Sequence, residues 1–144
     1  MALFTQDTKI KSLRQAPLFE GLSKRELTEL ARRSEDMELD AGTVLCREGD
    51  VGQEFFVILE GEVEVKRKGK GLGTRGAGDF IGEIALLEDI KRTATVTAKT
   101  PLHVFVLTRP AFQHLVNEHP AVERKVMRTL ARRLAALSTD PAVS

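Results

Sequence analysis

Between Met37 and Leu107 the chain breaks into short apolar runs separated by glycine turns, and this rhythm constrains the fold more than any other feature. Val44-Leu45, Phe55-Phe56-Val57-Ile58-Leu59, Val63-Glu64-Val65, Ala94-Thr95-Val96 and Val104-Phe105-Val106-Leu107 are rich in the β-branched and aromatic residues that suit a pleated surface. The turn signals between them are Asp40-Ala41-Gly42, Glu48-Gly49-Asp50, Glu60-Gly61 and Gly76-Ala77-Gly78-Asp79. Many short strands at this spacing predict a small antiparallel barrel or jelly roll. With 144 residues the chain fits one compact domain, 1–144. A domain of that size buries roughly 68% of the surface its unfolded chain exposes, so the core needs no disulfide or metal.

On both sides of the β-rich stretch the period becomes helical. Ser23-Lys24-Arg25-Glu26 reads as a capping box, and Leu27, Leu30 and Ala31 follow at helical spacing, predicting a helix near 23–33. Pro17-Leu18-Phe19 just before it feeds apolar side chains to the core. Pro110 suits a helix start, with Phe112, Leu115 and Val116 as an apolar stripe. Pro120 opens a second helix with a seam of Val122, Val126, Leu130, Leu134 and Leu137, its other faces carrying Arg124, Lys125, Arg128, Arg132 and Arg133. Asp140-Pro141 ends it. The predicted fold is mainly β, a jelly-roll-like barrel with an N-terminal helix and two C-terminal helices. Residues 17–108 form the helix and barrel core and 109–138 the C-terminal helices.

Composition narrows the function. Twenty-two basic against 21 acidic residues leave a net charge of +1, which supplies no general pull toward nucleic acid or membrane. Trp and Tyr are absent, removing the usual stacking platforms for single strands. Cys46 is the single cysteine, and no apolar run approaches a membrane span or a signal-peptide core, so a cytoplasmic protein is expected. Cys46 itself reads as a buried, inert thiol. His103, His114 and His119 lack the spacing of a metal site, and no nucleophile motif is present, so neither metal nor catalysis is expected. Gly71-Leu72-Gly73-Thr74-Arg75-Gly76 spells G-x-G-x-x-G, yet Ala77-Gly78-Asp79 follows where a helix should begin, and a glycine-rich hairpin accounts for it better. Lys66, Arg67, Lys68 and Lys70 on that hairpin read as a solvated basic loop.

The chemistry lies in Gly78-Asp79-Phe80-Ile81-Gly82-Glu83-Ile84-Ala85-Leu86-Leu87 and Arg92-Thr93-Ala94-Thr95-Val96. A strand ends in a glycine turn, one helical turn follows, and a loop leads to another strand. Main-chain N–H groups at the start of such a turn point outward and suit a phosphate. Gly82 lets a ligand approach the backbone with no Cβ in the way. Arg92 can fork two hydrogen bonds onto the phosphate and balance its charge. Glu83 is ill-placed beside an anion unless its carboxylate has another task, and accepting a hydrogen bond from a ribose hydroxyl is such a task. The competing readings are an internal Glu83–Arg92 ion pair in an ordinary barrel, and an intact cassette reused for contacts alone.

This stretch resembles the phosphate-binding cassette of the cyclic nucleotide-binding domains, Phe-Gly-Glu-aliphatic-Ala-Leu followed by Arg-Ala/Thr-Ala-Thr-Val. Ile81 separates Phe80 from Gly82, as in bacterial members, and the step from Glu83 to Arg92 matches the family. Arg47-Glu48-Gly49-Asp50 and Phe56–Val63 resemble its first hairpins, and Ala131-Arg132-Arg133-Leu134 its long final helix, so the resemblance spans roughly 17–138. The resemblance implies a ligand, cAMP or cGMP, rather than a cofactor. Glu83 then takes the ribose 2′-hydroxyl and Arg92 the phosphate, with Gly82 and the backbone of Ile84, Ala85 and Thr93 adding contacts. Val65 and Leu72 line the purine, and Arg133, Leu134 or Leu137 close over it. Two residues depart from the family pattern. Lys91 replaces a common proline, and Arg75 replaces a usual core leucine, either reaching the base edge or pointing to solvent. Family members with a threonine like Thr93 prefer either nucleotide, and the expectation leans to cAMP. The implied role is a sensor coupling ligand to the last helix, with a homodimer through that helix, or an effector domain or protein in trans, as partners. A ligand-free interaction module on the same scaffold is the alternative.

Overall fold

A computed structural model describes residues 6–82 and 91–137. The elements run α1 (Gln6–Gln15), a 3₁₀ turn (Pro17–Phe19), α2 (Lys24–Arg32), β1 (Ser34–Leu39), β2 (Val44–Cys46), β3 (Glu54–Glu60), β4 (Val63–Arg67), β5 (Lys70–Arg75), β6 (Phe80–Ile81), β7 (Thr95–Ala98), β8 (Leu102–Thr108), α3 (Arg109–Glu118) and α4 (Pro120–Leu137). The strands form two antiparallel four-stranded sheets, ordered β1-β8-β3-β6 and β2-β7-β4-β5. This is the jelly-roll-like arrangement the strand rhythm predicts, with helices before and after it.

The unbroken apolar runs of β3 and β8 have a simple cause: both faces of their sheet are covered. Phe56, Ile58, Val104 and Val106 point into the core between the sheets, together with Val63, Val65, Ile81 and Val96. Their neighbours Phe55, Val57, Phe105 and Leu107 point the other way, into a second core built with the helices. There Phe55 stacks on Phe112 of α3 with ring centroids 4.2 Å apart, and Phe80 lies 5.5 Å from Phe55.

Local signals set the helix ends. The Ser23 hydroxyl accepts from the Glu26 amide at 3.1 Å while Glu26 Oε1 accepts from the Ser23 amide at 2.9 Å, so the capping box forms as read from sequence. The carboxyl of Glu26 is held below its ordinary pKa, chiefly by that backbone hydrogen bond. Leu18 and Phe19 are buried in front of α2. Thr108 caps α3 through the Ala111 amide at 3.3 Å, placing Pro110 in the first turn.

Helix α1 has no counterpart in the sequence reading. Ile10 and Leu13 are its two buried apolar positions, too few to give a periodic signal, yet Leu13 is wholly enclosed. The seam of α4 also divides. Val122 and Val126 enter the helix-side core and Leu130 packs at its margin, whereas Leu134 is 63% exposed. Lys125 donates to the carbonyls of Pro17 and Glu20 at 2.9 and 3.1 Å, tying the start of α4 to the segment before α2.

Candidate functional site

Strands β5 and β6 are edge strands of their two sheets, and α4 runs near both. Between them lies a cavity of about 430 Å³. One wall is β4 and β5, through Val65, Arg67, Leu72 and Arg75; another is Ile81 and Gly82 at the end of β6. Arg92, Thr93, Ala94 and Val96 line the side leading into β7, with Cys46 beside them, and α4 contributes Leu130, Arg133 and Leu134. No carboxylate occurs among the described lining residues, while four guanidinium groups do.

Arg92 is fixed at both its backbone and its side chain. Its amide donates to the Asp50 carbonyl at 2.8 Å and its carbonyl accepts from Gly49 at 2.9 Å, so the Glu48-Gly49-Asp50 turn holds it. The guanidinium donates to the carbonyls of Gly82 at 3.0 Å and Glu54 at 2.5 Å. These acceptors orient the planar fork without neutralising it, since both are uncharged. Arg92 is nonetheless only 8% exposed as a whole residue, the one charged residue buried to that degree among the described residues. Among the described residues Arg92 meets only neutral acceptors, and burying a charge against neutral groups costs free energy that an anion offsets.

Gly82 has φ +95°, a conformation that side chains resist. A Cβ there would also collide with the Arg92 guanidinium and come within 2.7 Å of the Glu54 carbonyl. The glycine thus serves Arg92 as well as any ligand, a role that sequence alone did not reveal.

Of the residues singled out from sequence, Gly82, Arg92, Thr93, Val65, Leu72, Arg75, Arg133 and Leu134 all border this one cavity. Glu83, Ile84 and Ala85 lie outside the described residues, as does the side chain of Leu137. Arg133 donates to the Phe80 carbonyl at 2.7 Å and its guanidinium sits 4.8 Å from the Phe80 ring centre. That pair ties α4 to the strand leading into the cassette. Arg75 borders the cavity and is half-buried.

Several lining residues escaped the sequence reading. Arg67 belongs to β4 and not to a loop; two residues from Val65 it faces the same way, and strand alternation was the available signal. Leu130 precedes Leu134 by one helical turn and shares its face. Cys46 is buried as expected, and it borders the cavity.

Comparison with known proteins agrees with this geometry. The family model described as cyclic nucleotide-binding domain matches residues 36–119. A cAMP-dependent protein kinase regulatory subunit of Yarrowia lipolytica is 39% identical over 106 residues, covering 72% of this chain and 28% of that protein. A cGMP-dependent protein kinase of Caenorhabditis briggsae is 38% identical over 103 residues, covering 72% of this chain and 14% of that protein. Among solved structures, the regulatory subunit of a cAMP-independent protein kinase A from Trypanosoma brucei superposes with a TM-score of 0.78 at 30% identity, over 86% of this chain and 45% of that one. The chain spans less than a third of the length of these two curated relatives.

Proposed function

The chain belongs to the cyclic nucleotide-binding domain family, and from that premise we propose that its cavity binds a cyclic purine nucleotide, cAMP ahead of cGMP, as a regulatory sensor and not as a catalyst. The observation that carries this reading is the buried guanidinium of Arg92, oriented by two carbonyls and with no carboxylate against it among the described residues, beside a glycine that admits no side chain. A cyclic nucleotide carries one negative charge on a compact diester, which matches a single fixed fork supplemented by main-chain amides. In this reading Arg92 holds the phosphate, the backbone at Gly82, Ile84, Ala85 and Thr93 adds hydrogen bonds, and Glu83 takes the ribose 2′-hydroxyl. Val65 and Leu72 supply apolar area for the purine. The regulatory subunit from Yarrowia lipolytica, described as cAMP-dependent, supports the order of preference.

Leu134, on the last helix and largely exposed at the cavity's rim, gives the ligand something to act on. A purine that buries Leu134 favours one position of α4 over another, and that difference in contact is what shifts a conformational equilibrium. Met127 and Leu134 are exposed apolar residues seven apart on α4, a spacing that suits a homodimer seam. An effector in trans would read the same helix. None of the described helices is long and apolar enough to cross a membrane, and we place the protein in the cytoplasm.

The test is calorimetry with cAMP and cGMP on the wild type and on Arg92→Ala, with a thermal melt to confirm folding. Saturable heat that falls at least tenfold in affinity on substitution is expected, since unpairing a buried charge costs about 2–5 kcal/mol. Absence of heat in the wild type overturns the reading. It would favour the alternative, an interaction module that works without the nucleotide, for which the Trypanosoma relative, described as cAMP-independent, is a precedent in fold.

A further inference from the structure

We infer that Glu48 is a positioning residue for the cavity, its one carboxylate fixing the β4–β5 wall against the loop that holds Arg92; this rests on the cyclic-nucleotide reading above. Val65, Arg67, Leu72 and Arg75 place one wall of the cavity on the β4–β5 hairpin. Strand β4 pairs with β7 from Val63 to Lys66, and the Arg67–Lys70 tip of the hairpin runs past the last of those pairs. The hairpin's own register slips between Val65 and Lys66, and β5 is an edge strand. Lys68 turns the tip with φ +51°, the one left-handed non-glycine among the described residues, and Gly69 follows at +77°. Tight hairpin turns of this kind favour asparagine, aspartate or glycine in the first place. A lysine there carries backbone strain that its surroundings must hold.

Glu48 does so. Its Oε1 accepts from the Lys68 amide at 2.8 Å, reaching the tip from outside the hairpin. The main chain of the same residue belongs to the phosphate side. The Glu48 amide donates to the Thr95 hydroxyl at 3.0 Å. The next two residues, Gly49 and Asp50, exchange backbone hydrogen bonds with Arg92 at 2.9 and 2.8 Å. One residue therefore joins the wall assigned to the purine to the turn that carries the guanidinium assigned to the phosphate. A wall that drifts by roughly 1 Å forfeits up to about half of each contact's dispersion energy. Charge and position predict opposite effects here. Glu48 brings a negative charge toward an anion site, so by electrostatics alone its removal strengthens binding of a cyclic phosphate. By position, loss of the acceptor weakens binding, and an uncharged acceptor of equal reach restores it.

The experiment measures cAMP and cGMP affinity by calorimetry for the full chain as wild type, Glu48→Ala and Glu48→Gln, each with a thermal melt and amide hydrogen exchange at Lys68. Glu48→Ala should weaken both nucleotides about three- to tenfold, the size of one lost hydrogen bond, and the Lys68 amide should exchange faster. Glu48→Gln keeps an oxygen acceptor on a side chain of the same length, so it should stay within about twofold of the wild type with Lys68 still protected. Should Glu48→Ala fail to fold, the shorter hydroxyl of Glu48→Ser takes its place. Equal affinities in the alanine and glutamine variants, or tighter binding in both, overturn the positioning role and leave the cyclic-nucleotide reading standing. Binding of neither nucleotide by the wild type overturns both.

Discussion

Arg92 and Gly82 form a coupled pair, and the coupling makes a prediction at the scale of single residues. Gly82→Ala places a Cβ against the Arg92 guanidinium and the Glu54 carbonyl, and forces a left-handed φ on alanine. Backbone strain of this kind costs about 1–3 kcal/mol. The variant should melt lower and lose at least tenfold in nucleotide affinity, because Arg92 is pushed from its two carbonyls; normal binding would show that the contact is dispensable. A second residue-scale feature lies away from the cavity. The Asp36 side chain is 1% exposed, with Oδ1 2.7 Å from His103 Nε2 and Oδ2 buried with no hydrogen-bond partner. Burial raises its pKa above the ordinary 3.8, opposed by the hydrogen bond to His103. Between the ordinary and the raised value the folded chain holds a proton that the unfolded chain has released. The contribution of this group to stability therefore falls as pH rises through that window, starting near 3.8. Denaturant titrations of wild type and Asp36→Asn at stepped pH should show the wild type losing stability relative to the variant across it. A constant difference would contradict the assignment.

Among the elements, α4 does two jobs with one apolar seam. Its first half is core: Val122 and Val126 are fully buried. Its second half borders the cavity, with Leu130 partly covered and Leu134 open to solvent. Substitutions along a single helix should therefore separate. Val126→Ala should destabilise by about 0.5–3 kcal/mol, read by denaturant midpoint. Leu134→Ser should leave the midpoint almost unchanged, and under the proposed reading, in which the purine covers Leu134, it should weaken nucleotide binding several-fold. If both substitutions lower stability alike, the helix acts purely as a structural support. The sequence supplied the seam but not its division, because periodicity reports which face is apolar and not what covers that face.

At the scale of the whole molecule, two cores share one sheet, and Phe55 joins that sheet to the helices by stacking on Phe112. Phe55→Ala should cost about 3–5 kcal/mol, a large part of the total stability typical of a domain, and should loosen the helices that border the cavity. Saturating cyclic nucleotide should partly restore the melting temperature, since ligand at a hundredfold over its Kd adds about 2.7 kcal/mol; no shift with ligand would separate the helix-side core from the site. Glycine turns, alternating apolar runs and the capping box are local properties, so β2, β3, β4, β7 and β8 and helices α2, α3 and α4 could be read directly from residue order, whereas β1, with its charged Ser34–Leu39 run, was not. The family was equally legible, because the residues that carry the resemblance are consecutive or nearly so. Helix α1 was not, since Ile10 and Leu13 are its only buried apolar side chains and their burial depends on partners far along the chain. Nor could residue order assign Arg67 and Leu130 to one cavity with Arg92. That needed the register of β4 with β5 and β7, and the placement of α4 beside two sheet edges, because a cavity wall belongs to no single segment.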